Sequence, residues 1–229
     1  MEFDVHATRD GKLVVIHDET LDRTTNSRER LRKKNVRIDR VDLARLRALD
    51  AGSWKAARFS TARIPTLAET LQALLPRCVP MIEHNGGAAE LYVTELNELG
   101  LARSVILQSF DWGFVERVHA LAPQIALGVL GDGTLTGSHL RKVPRTGARL
   151  VHWDVDSIRA SDVKRLHALG YLVCVYTANS DAELIGSARM GVDLLTTNHP
   201  QRLAELVRAG TARRNVASPS SGAVPPTRP

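Results

Sequence analysis

Short apolar, β-branched runs alternate along the chain with longer stretches in which apolar residues recur every three or four positions. The short runs at 2–6, 12–17, 79–83, 104–108, 125–130, 149–153, 171–176 and 192–197 predict strands. The amphipathic stretches 66–75, 88–99, 112–121, 160–169 and 181–189 predict helices. Within 160–169, Val163, Leu166 and Leu169 share a face behind Ser161, a predicted N-cap. Gly100, Gly170 and Gly191 each follow a helical stretch, where a left-handed residue ends a helix at little cost. Repeated βα units of this length predict a parallel sheet, doubly wound or closed into a barrel. No GxGxxG or P-loop follows an early strand, which excludes the common nucleotide-binding versions. The Asp10-Gly11 connection is too short for a crossover helix, so one of the two strands it joins lies outside the regular alternation.

Two segments break the rhythm. Residues 18–65 are polar and basic and read as an insertion, with one helix predicted over 41–49. Residues 211–229 are rich in Pro, Ser and Ala and read as a disordered tail after a single domain at 1–210. The overall charge of +6 is uneven: residues 22–63 hold 13 Lys/Arg against 5 Asp/Glu, the tail adds +3, and the remaining body carries −5. An acidic body with 4% aromatic residues excludes a nucleic-acid binder, which needs a basic stripe interleaved with stacking groups. The charge run 28–34 reads as a solvated face, with weak contact to anionic membranes as the lesser reading. No apolar run approaches the ~20 residues of a transmembrane helix, and no secretory leader opens the chain. Cys78 and Cys174 sit in apolar surroundings without a disulfide pattern; the expected location is the cytoplasm.

Candidate chemistry concentrates in a few places. Glu2, Asp4 and His6 share one face of the first strand, opposite Phe3 and Val5. Polar groups on one face of a buried strand are costly unless they bind something, and carboxylates at i, i+2 suit a hard divalent cation. His17 ends an apolar strand, where barrel enzymes place their chemistry. Glu83 likewise leaves the apolar run Met81-Ile82 for a loop containing Gly86-Gly87, which makes it a ligand candidate. One of His152 and Trp153 faces the barrel mouth, and Trp112 either walls the site or only starts a helix. Outward-facing charges on an edge strand would account for Glu2, Asp4 and His6 taken alone.

The order of motifs adds a resemblance. Glu2-Phe3-Asp4-Val5-His6-Ala7-Thr8-Arg9-Asp10-Gly11, then Val14-Val15-Ile16-His17-Asp18 and Leu21-Asp22-Arg23-Thr24-Thr25, closely resemble the glycerophosphodiester phosphodiesterase family. The likeness continues through Leu49-Asp50-Ala51-Gly52, Ile64-Pro65-Thr66-Leu67, Ile82-Glu83, Gln108-Ser109-Phe110, Tyr176-Thr177-Ala178-Asn179 and Gly191-Val192-Asp193. The catalytic barrel of phosphoinositide phospholipases C is similar at greater distance. The resemblance implies a TIM-type (β/α)8 barrel, phospholipase C-like, with 18–65 as its insertion. It implies Glu2, Asp4 and Glu83 as ligands of one divalent cation, Mg²⁺ or Ca²⁺, and His17 as general acid–base. Asn85, Trp112, Trp153 and Tyr176 are the expected substrate-binding residues. The implied reaction converts glycerophosphodiesters, small-molecule substrates of lipid metabolism, to an alcohol and glycerol 3-phosphate, often through attack by a neighbouring glycerol hydroxyl.

The chain departs from the family pattern in three ways. The family's first strand bears a His-Arg pair, and here the chain opens at Met1 directly before the metal strand, so the barrel is expected to be incomplete at the N-terminus. A lysine two residues after the acid matched by Glu83 is replaced by Asn85, which hydrogen-bonds but supplies no charge. A tryptophan common near the substrate is replaced by Tyr176, which keeps an apolar wall. The alternative function is therefore a phosphate-ligand binding barrel without turnover.

Overall fold

The computed structural model describes residues 1–75 and 77–211, so the predicted tail lies, but for Thr211, outside the described residues. The chain forms two compact units, Met1–His152 and one that begins at Trp153. In the first unit β1 (Glu2–Ala7), β2 (Leu13–Val15), β3 (Met81–His84), β4 (Ile106–Ser109) and β5 (Ala126–Gly131) alternate, after the insertion, with α3 (Leu67–Leu74), α4 (Ala89–Glu98), α5 (Trp112–Leu121) and α6 (Gly137–Lys142). The insertion holds two short helices, α1 (Ser27–Leu31) and α2 (Leu43–Arg47). β6 (Leu150–Asp154) spans the boundary, and α7 (Ala160–Ala168), β7 (Leu172–Tyr176), α8 (Asp181–Met190), β8 (Leu194–Leu195) and α9 (Pro200–Arg208) follow it.

Every predicted strand and helix is present. α1 and α6 are too short to show a period, and α9 buries only Leu206, so none of the three stands out in the sequence. α2 is shorter than the predicted 41–49 because Val41 and Asp42 are extended (ψ 135° and 153°). α7 begins before Ser161: its N-cap is Arg159, whose N–H donates to the Asp162 carboxylate at 3.1 Å. Thr66 with Glu69 and Ser180 with Glu183 form capping boxes that start α3 and α8.

In the first unit the strands lie in the order β2-β1-β3-β4-β5-β6. β1–β3, β3–β4 and β4–β5 pair parallel, whereas β1 and β2 pair antiparallel with Val5 opposite Val15. The Asp10-Gly11 turn makes that hairpin, with Gly11 at φ +70°. β2 is thus the irregular strand of the pair, one arm of a hairpin laid on β1. Its Val14 packs against Leu21, Ile38, Val41, Leu46, Leu49 and Ile64, a core belonging to the insertion. Each such fully buried aliphatic side chain contributes about 1.5–3 kcal/mol, enough to hold a segment with little regular structure. The second unit has its own cluster of Ala178, Leu184 and Leu206, and its β7 and β8 pair parallel with Cys174 opposite Leu194. Neither Cys78 nor Cys174 is in a disulfide. Among the described residues no helix is long and apolar enough to cross a membrane.

The β3–α4 loop must pass close to β1. Gly87 has φ +106°, and a Cβ there would lie 2.6 Å from the Ala7 Cβ. Gly100 has φ +69° and open space around it. Gly87→Ala is therefore expected to lower stability by about 2–4 kcal/mol and Gly100→Ala by about 1 kcal/mol, read as denaturant midpoints.

Candidate active site

The register of β1 against β3 sets the site. Asp4 lies opposite Glu83, and period-two alternation brings Glu2 to the face of Asp4. Glu2, Asp4 and Glu83 each offer an oxygen within 4.8 Å of the others. Burial pushes the Glu2 carboxyl up to about 7, and the charges of Asp4 and Glu83 push it the same way. Burial, then Asp4, raises Glu83 to about 7. Asn85 Nδ2 donates to Asp4 Oδ1 at 2.7 Å, and Glu83 feels the same amide. Glu2 Oε1 is buried and has no hydrogen-bond partner among the described residues. Three half-buried acids around one amide, with one oxygen orphaned, make a donor set that fits a hard divalent cation.

His17 stands just beyond β2 with its side chain 74% exposed. Its Nδ1 donates to Asp18 Oδ1 at 2.9 Å, which leaves Nε2 for proton exchange. The Asp18 bond, aided by the charge of Asp4, raises the imidazole pKa. Arg23 grips Asp18 with two bonds, at 2.6 and 2.7 Å, and holds it ionised with a pKa of about 2. His6, buried at 6% exposure, reaches the same place from below: its Nε2–H donates to the His17 carbonyl at 3.2 Å. Burial lowers the His6 pKa.

A second row of side chains continues the face. Gln108 lies opposite Glu83, and Gly128 opposite Gln108. His152 Nδ1–H donates to Gln108 Oε1 at 2.9 Å, a bond made across β5. Gly128 lies beneath this pair: a Cβ there would lie 3.2 Å from the Gln108 Cβ and 3.4 Å from Leu150 Cδ2, tight against the Gln108 stem. His152, not Trp153, therefore shares the face of the carboxylates. Trp153 points the other way by alternation and is 1% exposed, so it offers no surface to a ligand in this conformation. Trp112 is anchored by Nε1–H to the Leu130 carbonyl at 2.8 Å and lies against the His139 ring. Tyr176, half-buried at the end of β7, belongs to the second unit. Sequence reasoning gave Gln108 no role, although it opens the Gln108-Ser109-Phe110 motif of the resemblance and is a lone amide ending an apolar strand.

The model of the Glycerophosphoryl diester phosphodiesterase family matches residues 1–202. The chain belongs to this family. A glycerophosphodiester phosphodiesterase of Caldanaerobacter subterraneus subsp. tengcongensis is 29% identical over 218 residues, covering 92% of this chain and 86% of that protein. Another, from Bacillus subtilis, is 29% identical over 223 residues, covering 87% and 73%. Among solved structures, the Agrobacterium tumefaciens glycerophosphodiester phosphodiesterase superposes with a TM-score of 0.71 at 26% identity, over 89% of this chain and 85% of that one. An Oleispira antarctica phosphodiesterase, solved with the product sn-glycerol-3-phosphate, gives a TM-score of 0.80 at 24% identity, over 90% and 84%. The fold of this family member is accordingly the TIM-type α/β barrel that the resemblance implied.

Glu2 and Glu83 titrate near 7 when folded, against 4.5 as ordinary glutamates. Between those values the cation-free folded chain binds more protons than the unfolded chain, so it loses stability as pH rises. In EDTA the melting temperature is expected to fall from about pH 5 to about pH 8, a fall that Glu83→Gln flattens and added Mg²⁺ offsets. A melting temperature that rises over this range would refute the assigned electrostatics.

Proposed function

We propose that this chain hydrolyses glycerophosphodiesters to an alcohol and glycerol 3-phosphate, with Glu2, Asp4 and Glu83 holding one divalent cation, Mg²⁺ or Ca²⁺. The observation that carries this reading is the gathering of three carboxylates from two paired strands beside an imidazole already oriented by an ionised aspartate. The family's curated relatives named above are glycerophosphodiester phosphodiesterases, which supports the substrate class. No feature of the described residues favours a binding-only role.

A cation on these acids would neutralise phosphate charge and polarise the phosphorus centre. The chain's own residues do the rest. Asn85 steadies Asp4 and holds an amide beside Glu83, where it can also donate to a phosphate oxygen. His17 exchanges a proton through Nε2, giving it to the leaving alkoxide or taking one from the attacking oxygen. One P–O ester bond breaks, the alcohol leaves with that proton, and the oxygen of water ends on phosphorus. Asp18 fixes the tautomer and orientation of His17, and His6 holds its backbone from the buried side. Trp112, with its indole N–H already spent on the Leu130 carbonyl, has only apolar ring surface to offer a substrate.

Glycerophosphocholine hydrolysis, followed as choline release, is expected to require Mg²⁺ or Ca²⁺ and to vanish with EDTA or with Glu83→Ala; activity surviving both would sink the assignment. His17→Asn should lower kcat by about 10²–10⁴. Asp18→Asn removes the largest cause of the raised His17 pKa, so the His17 limb of the kcat–pH profile should move to lower pH. An unmoved limb in Asp18→Asn would separate His17 from the proton transfer.

A further inference from the structure

The insertion carries a second concavity whose chemistry is opposite to that of the acid cluster. A cavity of about 290 Å³ is lined by Lys33, Lys34, Arg37, Arg40 and Arg45, with no carboxylate among its lining residues. Leu31, Val36 and Val41 also line it, and all three pack against the apolar core of the insertion. The cavity is thus apolar where it meets the core and carries five cations besides.

Most arginines nearby are matched to acids: Arg9 with Asp42, Arg23 with Asp18, Arg28 with Asp22, Arg47 with Glu69. Within the cavity Arg37 is matched to Glu19 and Asp39, and Arg40 lies 3.8 Å from Asp39. Lys33, Lys34 and Arg45 have no acidic partner among the described residues. A concave surface lined by one sign of charge over a low-dielectric floor focuses its potential and concentrates counter-ions. Chain geometry supports the concavity: Arg32 and Asn35 take left-handed conformations, both at φ 52°, and turn the segment on either side of Lys33 and Lys34. Asn35 N–H is tied to Asp22 Oδ2 at 2.8 Å, which anchors that turn.

We propose that this cavity binds the phosphate group of an anionic ligand, apart from the acid-rich site. Lys33, Lys34 and Arg45 supply the unmatched charge and the donors; Leu31 and Val36 accept the apolar or glycerol part attached to the phosphate. Arg37 also lines the recess beside His6 and Asn85, so one side chain borders both concavities. A phosphate of this kind is presented by a free phosphate monoester or by the headgroups of an anionic bilayer.

The test uses the full chain in two arms: calorimetric titration with inorganic phosphate in EDTA, and co-sedimentation with phosphatidylcholine vesicles with or without phosphatidylglycerol. Binding in the first arm identifies a soluble anion; binding confined to phosphatidylglycerol vesicles identifies the headgroup. In whichever arm binds, Lys33→Gln/Lys34→Gln/Arg45→Gln is expected to weaken affinity by about tenfold or more. Lys55→Gln/Arg58→Gln/Arg63→Gln removes the same charge from exposed positions of the same insertion and is expected to retain binding. Both variants are expected to keep wild-type glycerophosphocholine hydrolysis. No binding in either arm, equal loss in both variants, or loss of hydrolysis with the first variant overturns the proposal.

Discussion

Mutual repulsion among three carboxylates is the constraint around which the first unit is built. Asp4 and Glu83 are forced together by strand register, and Glu2 joins them by alternation along β1. The fold accepts this because β1 is held on both sides, by β2 in antiparallel pairing and by β3 in parallel. Burial converts that proximity into two acids that ionise near neutrality. A cation held by these acids would have to displace protons from them near neutrality, so its affinity would be coupled to pH by the fold itself.

Much of this was legible in the sequence because the decisive patterns are local. Acid at 2 and 4, an aspartate after His17, and an acid ending an apolar strand at 83 are each visible without knowing the fold. Their convergence was not: it depends on the register of β1 with β3, which joins positions some 80 residues apart. The choice between His152 and Trp153 was closed to sequence for the same reason, since it turns on which face of β6 meets Gln108. His119 and His167 lie in helical stretches whose pattern carries no sign of their partners. His167 sits at the edge of an amphipathic helix, yet it pairs with Asp193 at 2.8 Å, and that carboxylate also receives the Val173 N–H. His119 packs under Gly147, where a Cβ would strike its ring at 2.3 Å.

The insertion shows how a segment of low regularity can still be held by a core of its own. Its helices are five residues each, and it relies on an apolar cluster anchored to Val14 together with arginine–carboxylate pairs around its rim. Exposed pairs of this kind contribute little individually; the buried aliphatic cluster supplies the stability, and the pairs fix the direction of each turn. Because that core includes Val14 of β2, and His17 follows β2 directly, the His17 imidazole is positioned by the insertion as much as by the sheet.

The missing side chain at Gly128 reaches further than its own strand. It leaves room for the Gln108 stem and Leu150 over β5, where Gln108 and His152 brace one another as a polar shelf level with Glu83. Gln108 Nε2 remains buried and unspent after that bond. A methyl group at position 128 would press on the Gln108 stem and on Leu150, so the polar wall next to the acids rests on β5 keeping one bare α-carbon.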